Sequence, residues 1–454
     1  MKIMLCVVAL TAAVLAPTRT DVCNVRCDGS AVPATRGREA VAAELAGRRV
    51  SLRFHDVDAM GWAAVDGGPG ADVWLDRSFD GGTTWTPRLG LTGDGATTMY
   101  NVDDWAGHGV GALRACASIA DVVSCTAWAR TTWHAGDRRS AAVTGLMQYY
   151  RNDTGLFAGT GWWNSANALT AVIDSGMAVY RYAIANTYDR NVTAGLGQFR
   201  NEFVDDTGWW ALAWVAAYDV TGDRRYLDTA TAGAEYMHSF WDDVCGGGVW
   251  WRVERTYKNA VTNALYVQLN AALHNRLPAD TRYLARARAG WAWYANSGMI
   301  NLVHLVNDGV DTATCRNNGH ETWTYNQGVV LAALVELSRA AADPELLVTA
   351  RTLAAASTTD AALNPDGVLR EPCEPACEQS SESFKGAYVR GLGRLDAVLP
   401  DHPYRAYLDR QADAAYRNTR TPLDTYGLRW SGPRTPPTTS TQQSAADLMN
   451  AAHP

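Results

Sequence analysis

From about residue 50 to residue 129, short apolar stretches alternate with polar positions and are broken every few residues by Gly, Asp or Pro. This period-two pattern predicts strands and tight turns. After Trp133 the texture changes to long Ala-rich runs in which apolar residues return every three or four positions, which predicts helices to the end of the chain. Residues 40–133 are therefore read as a small β-rich accessory domain and residues 138–454 as a helical domain.

A repeat runs through the helical part. Asp223, Asp280, Asp343 and Asp401 each stand three residues before a large apolar residue, at spacings of about 60 residues. Asp343 precedes Pro344, the N-cap and first-turn proline that open a helix. Between these starts lie six further helix heads, richer in aromatic and amide residues, near Trp162, Asp205, Lys258, Trp323, Phe384 and Thr441. With helices expected near residues 138–151 and 180–199, the series predicts an all-α (α/α)6 toroid with the polar-headed helices as its inner ring. Alternate helices of such a ring run parallel, so all six heads fall at one end.

One of those heads carries chemistry. In Asn201-Glu202-Phe203-Val204-Asp205-Asp206-Thr207-Gly208-Trp209-Trp210 two adjacent carboxylates open a strongly helical run among aromatic side chains. Asp103-Asp104 and Asp242-Asp243 are comparable pairs that head no inner helix, and are expected to be solvated turns. Retaining glycosidases need two carboxyls about 5 to 5.5 Å apart, one as nucleophile and one as acid and then base. Neighbours on a regular helix diverge by about 100°, yet at an irregular first turn both can face one cleft. The helix terminus favours ionisation of one carboxylate, and an apolar neighbour such as Trp209 raises the other. Around them the same rim is expected to hold Trp162, Trp163, Asn164, Asn167, Lys258, Asn259, Trp323, Tyr325, Asn326, Gln327 and Lys385. Gly246-Gly247-Gly248 followed by Trp250 and Trp251 reads as a loop presenting aromatics to a groove. The competing explanation for Asn164, Asn259 and Thr441 is helix capping.

Composition narrows the class. The 18 Trp among 454 residues favour a protein that stacks flat apolar rings on sugars, although core packing is the commoner fate of any one of them. A net charge of -7, spread along the chain, argues against nucleic acid or an anionic membrane as partner. Lys2, Lys258 and Lys385 are the lysines in a chain otherwise dependent on Arg, a skew that suggests a GC-rich, bacterial genome. Residues 1–20 read as a secretory signal, and no later apolar run is long enough to span a membrane. Beyond Cys6 in that signal, Cys23, Cys27, Cys116, Cys125, Cys245, Cys315, Cys373 and Cys377 form an even set, as in an oxidising compartment. Local bridges and a Cys245 to Cys315 link are expected, rather than a metal site, because no His stands at ligand spacing. Ser78-Phe79-Asp80-Gly81-Gly82-Thr83-Thr84-Trp85 resembles an Asp-box, a turn in which Asp80 and the glycines shape the hairpin and Trp85 packs beneath.

Together the motifs Thr160-Gly161-Trp162-Trp163-Asn164-Ser165-Ala166-Asn167, Asp205-Asp206-Thr207-Gly208-Trp209-Trp210, Gly246-Gly247-Gly248-Val249-Trp250-Trp251, Tyr257-Lys258-Asn259-Ala260, Thr322-Trp323-Thr324-Tyr325-Asn326-Gln327-Gly328 and Phe384-Lys385-Gly386 are similar to those of glycoside hydrolase family 76, the endo-α-1,6-mannanases, and of the related fungal cell-wall transglycosidases. The resemblance covers residues 138–452. It implies an (α/α)6 barrel, a groove across the inner helix starts, Asp205 as nucleophile and Asp206 as general acid/base. It also implies α-mannan or mannooligosaccharides as substrate, with no cofactor and no metal. Transfer of a glycan to an acceptor and glycan binding without catalysis are the alternatives. A secreted monomer is expected.

Overall fold

A computed structural model describes residues 27–32, 37–55, 58–104, 109–131 and 137–453. The expected signal segment, with Cys6, and the neighbouring Cys23 lie outside the described residues.

Strands come first: β1 (Arg38–Leu45), β2 (Arg48–His55), β3 (Met60–Val65), β4 (Asp72–Ser78), β5 (Thr86–Thr92), β6 (Tyr100–Asn101), β7 (Ala112–Ile119) and β8 (Val122–Cys125). They form two antiparallel four-stranded sheets, ordered β1-β2-β3-β6 and β5-β4-β7-β8. Alternation decides which side chains face inward. Val50, Leu52 and Phe54 of one sheet share a buried core with Val73, Leu75, Leu113 and Ala115 of the other. Cys116 and Cys125 sit opposite each other on β7 and β8 and are bridged.

The Asp-box turn forms, with Asp80 Oδ1 accepting from the Thr84 N–H at 2.8 Å and Gly81 and Gly82 both at positive φ. Its tryptophan differs from expectation. Trp85 is 46% exposed, and the ring beneath the turn is Trp128, whose Nε1 would lie 2.5 Å from a Cβ on Gly82. Arg114 lies over both rings, 4.5 Å from Trp85 and 4.7 Å from Trp128, so the guanidinium holds Trp85 at the surface.

Twelve α-helices follow among the described residues: α1 (Arg138–Met147), α2 (Trp162–Asp174), α3 (Tyr182–Asn191), α4 (Val204–Thr221), α5 (Arg224–His238), α6 (Ala260–Arg276), α7 (Thr281–Asn296), α8 (Thr324–Ala341), α9 (Glu345–Thr359), α10 (Phe384–Val398), α11 (Arg405–Asn418) and α12 (Thr439–Ala452). Asp223, Asp280 and Asp343 each accept a backbone N–H two residues ahead, as helix-opening side chains should. Asp401 does not. The helix after it starts at Arg405, and Asp401 instead pairs with Arg351.

Burial separates two classes of helix. α6 is buried continuously from Ala260 to Leu273, whereas α7 buries only Tyr283, Ala287, Gly290, Trp293 and Tyr294, one stripe at helical spacing. The continuously buried kind needs neighbours on every side. α2 packs on α4, α4 on α6, α6 on α8, α8 on α10, α10 on α12, and α12 on α2. Close approach within this series requires missing side chains: a Cβ on Gly391 would fall 2.0 Å from the Gly328 carbonyl oxygen. The first residues of α2, α4, α6, α8 and α10 meet at one cleft.

Candidate active site

The cleft has a volume of about 420 Å³ and is walled by Trp163, Phe203, Trp209, Trp251, Trp323, Tyr325 and Phe384, with Asp205 and Asp206 opening into it. The two aspartates occupy the first turn of α4. Its start is pinned from outside: the Val204 N–H donates to the Trp251 carbonyl at 2.8 Å, and Val253 N–H to the Glu202 carbonyl at 3.1 Å. This short antiparallel contact replaces the side-chain cap that Phe203 cannot supply, and leaves both carboxyls free to turn inward. Trp209, four residues after Asp205, lies on the same helix face and continues the wall.

The two carboxyls differ in their partners. Asp206 is buried, and its Oδ2 accepts from Asn201 Nδ2 at 2.6 Å. Asn201 is itself fixed, its Oδ1 taking the Phe203 N–H at 2.9 Å and its carbonyl taking the Tyr236 hydroxyl at 2.8 Å. Burial pushes Asp206 up to about 7, with the nearby Glu202 charge adding to it and Asn201 opposing. Asp205 is also held well above the usual carboxylate range, first by burial and then by the Asp206 charge. The Trp251 side chain and the backbone N–H groups of Asp205 and Asp206 hydrogen-bond to it and favour its ionised form. Its Oδ1 has no hydrogen-bond partner among the described residues. Two carboxyls so arranged titrate as a pair, the charge on one raising the other.

Loops crossing the helix heads complete the cleft. Lys258 Nζ donates to Asp242 Oδ1 at 2.8 Å and to the Val244 and Gly247 carbonyls at 2.7 Å each, fixing the segment that carries Trp251. The Cys245–Cys315 disulfide ties this segment to the strand pair following Asp308. Asp308 Oδ2 accepts from the Tyr257 hydroxyl at 2.6 Å, and its Oδ1 from Asn326 Nδ2 at 3.3 Å. Burial raises both Asp308 and Tyr257. The expected bridge Cys373–Cys377 is present in the loop that ends at Ser380 and Ser381, and Trp163 Nε1 donates to Ser380 Oγ at 2.9 Å.

Of the side chains expected on the rim, Trp163, Trp209, Trp251, Asn259, Trp323 and Tyr325 line the cleft with the aspartates, and Asn259 also caps α6 by accepting the Thr262 N–H. The others are corrected by the structure, which places them behind the wall. Trp162 packs on Trp210 and Phe199. Asn164 donates to Ser383 Oγ, and Asn167 to the Trp163 carbonyl while accepting from Arg390. Trp250 donates to Asp242 Oδ2, beside the buried Lys258. Asn326 reaches Asp308, and Gln327 exchanges two hydrogen bonds with the Val306 backbone. Lys385 is buried against Glu374 Oε1 at 2.6 Å and the Leu428 carbonyl at 2.5 Å. For Asn164, Lys258, Gln327 and Lys385 the polar group at a buried helix head is consumed by a returning loop, as buried polar groups require. The comparison pairs are also more occupied than expected: Asp103 is buried, taking the Gly111 N–H, and Asp242 holds Lys258. Sequence reasoning missed Asp308, Ser380 and Ser381, which sit in aperiodic loops, and passed over Phe203, Tyr257 and Phe384 inside motifs it had quoted.

The sequence model of glycosyl hydrolase family 76 matches residues 135–453. The chain belongs to this family. Among its relatives, mannan endo-1,6-alpha-mannosidase DCW1 of Eremothecium gossypii is 28% identical over 301 residues, covering 58% of this chain and 65% of that protein. Mannan endo-1,6-alpha-mannosidase DFG5 of Saccharomyces cerevisiae is 25% identical over 322 residues, covering 63% and 70%. The chain thus spans about two thirds of the length of these relatives. The GH76A alpha-1,6-mannanase of Salegentibacter sp. HEL1_6 shares the fold, with a TM-score of 0.61 at 24% identity over 69% of this chain and 98% of that one. An inactive variant of that enzyme, two consecutive aspartates replaced by asparagine, has been solved with alpha-1,6-mannotriose.

Proposed function

We propose that this protein is a secreted, retaining endo-α-1,6-mannanase, with Asp205 as nucleophile and Asp206 as general acid and then base, in a groove across one end of an (α/α)6 toroid. The closed series of helix contacts supports the toroid, and the strand-rich residues 38–125 are read as an accessory unit beside it. The observation that carries the reading is that two adjacent carboxyls, both raised by burial, open on a single aromatic-walled cleft. The inactive double-asparagine neighbour supports the same assignment.

The roles follow from the partners. Asp206, pushed up to about 7, retains its proton near neutral pH and can give it to the glycosidic oxygen. Once Asp206 is neutral, the like-charge effect on Asp205 vanishes, and the Trp251 and backbone donors work against burial to favour the ionised carboxylate that attacks the anomeric carbon. The glycosyl ester so formed is hydrolysed by water that surrenders a proton to Asp206 and releases Asp205. Trp163 and Trp209 offer faces for pyranose rings, and Asp308 and Tyr257 offer polar atoms for their hydroxyls.

Reducing-end release from linear α-1,6-mannan tests the reading. Asp205→Asn and Asp206→Asn should each abolish most of it; wild-type release by either variant would overturn the assignment. Product analysis with and without an added acceptor sugar separates hydrolysis from transfer.

A further inference from the structure

The sheet ordered β5-β4-β7-β8 has two faces, and Val73, Leu75, Leu113 and Ala115 point from one of them into the core. Alternation turns Trp74, Asp76, Arg114 and Cys116 the other way, with Trp74 paired to Cys116 and Asp76 to Arg114. An outward face of this kind is ordinarily polar, yet three tryptophans gather on it. The Arg114 guanidinium lies 4.5 Å from the Trp85 ring and 4.7 Å from the Trp128 ring, and those two rings are 6.1 Å apart. Arg88 lies over Trp74 at 5.4 Å.

The platform is braced from below. Asp76 is buried and accepts from Trp74 Nε1 at 3.1 Å, from the Arg88 backbone N–H at 3.1 Å and from Arg114 Nε at 2.9 Å. The Arg114 charge is thereby matched, and Trp85 rests on a fixed support. Pairing between β4 and β5 joins Leu75 to Leu89 but Arg77 to Thr86, one residue more on β5, and Arg88 stands in that bulge at φ 58. A bulge re-aims the side chain it carries. The Arg88 guanidinium is on an exposed residue and makes no hydrogen bond or ion pair among the described residues.

The result is a rigid flat ring in water with a spare fork of N–H donors beside it. Trp85 is 46% exposed, and no other described tryptophan falls in the exposed class. The C–H face of a pyranose covers an indole, and its hydroxyls accept from a guanidinium. Nucleic acid bases also stack on Trp, but Arg114 is spent on Asp76 and the chain carries a net charge of -7. A stable protein interface takes about 800 Å² from each partner, far more than one indole and one guanidinium offer.

We propose that Trp85 and Arg88 form a surface site for a sugar ring of α-mannan, so that the strand-rich unit holds the polymer that the cleft cleaves. The choice of polymer rests on the reading of the cleft given above, whereas the stacking chemistry does not. A second contact on one long chain raises the effective concentration of substrate at the enzyme, a gain that a short oligosaccharide held in the cleft does not share.

Affinity electrophoresis in linear α-1,6-mannan tests the site, using the full chain with Asp205→Asn so that the polymer in the gel stays intact. Adding Trp85→Ala should weaken retardation about tenfold, Arg88→Ala about threefold, and Trp85→Tyr less than either. In the otherwise unaltered enzyme, Trp85→Ala should lower kcat/KM on the polymer about threefold and leave that on α-1,6-mannotriose unchanged. Equal retardation with and without Trp85→Ala would overturn the site, as would an equal loss on polymer and trisaccharide. Retardation that depends on Trp85, in a chain whose unaltered form releases no sugar from mannan, would overturn the reading of the cleft and leave this site standing.

Discussion

Two acidic pairs lie buried at the same end of the helical ring and have opposite surroundings. Glu371 accepts from the Thr324 N–H at 3.1 Å and from the Thr324 hydroxyl, while Glu374 Oε1 takes Lys385 Nζ at 2.6 Å and the Glu371 N–H at 3.1 Å. Burial pushes Glu371 up to about 8. Yet neither glutamate lines the cleft. Asp205 and Asp206 are also raised by burial, but both line the cleft. A raised carboxyl alone therefore does not mark chemistry. The mark is a raised carboxyl that lines a space a substrate can enter.

The sharpest way to break this comparison is to remove each pair in turn. Asp206→Asn should lower kcat on α-1,6-mannan by about 10² to 10⁴-fold, the usual share of a general acid, with circular dichroism unchanged. Lys385→Met should do the converse. It leaves Glu374 buried without its cation, a loss of about 3–5 kcal/mol of stability by denaturant titration, while folded molecules keep wild-type pH dependence.

A third prediction concerns pH. Asp206 releases its proton near pH 7 in the folded chain, and at about 4 when unfolded. The folded state thus binds more protons across that interval, so stability falls as pH rises through it. Asp206→Asn should flatten this decline and become more stable than the parent above about pH 7, by at most about 4 kcal/mol. Equal pH dependence in parent and variant would remove the electrostatic distinction between the two pairs. Activity should fall above about pH 7 as the acid is lost, and Asn201→Ala, which deletes the donor opposing protonation, should move that limb upward. Smallest of all, Trp163→Ala should raise KM about tenfold with little change in kcat.

Much of the helical frame was legible in the chain because its signals are local. Asp223, Asp280 and Asp343 cap helices through their own side chains, and the heads of the even-numbered helices could be read from the aromatic and amide residues at their starts. Asp205 and Trp209 stand four residues apart, so helical spacing alone puts them on one face. The fate of Asn164, Lys258, Gln327 and Lys385 was illegible for the opposite reason. Each is consumed by a loop that folds back across the helix heads, and such loops carry no period. Asp308 and Ser380 enter the cleft on those same loops and escaped notice with them. Trp85 failed similarly, since the ring that packs under the turn, Trp128, comes from outside the motif.

The central claim is that the aspartate pair performs a double displacement. Proton NMR of the first products from α-1,6-mannotetraose, recorded before mutarotation, tests it most directly. The account predicts the α-anomer at the new reducing end, by way of a glycosyl ester on Asp205. First appearance of the β-anomer would mean a single inverting attack by water and would contradict it.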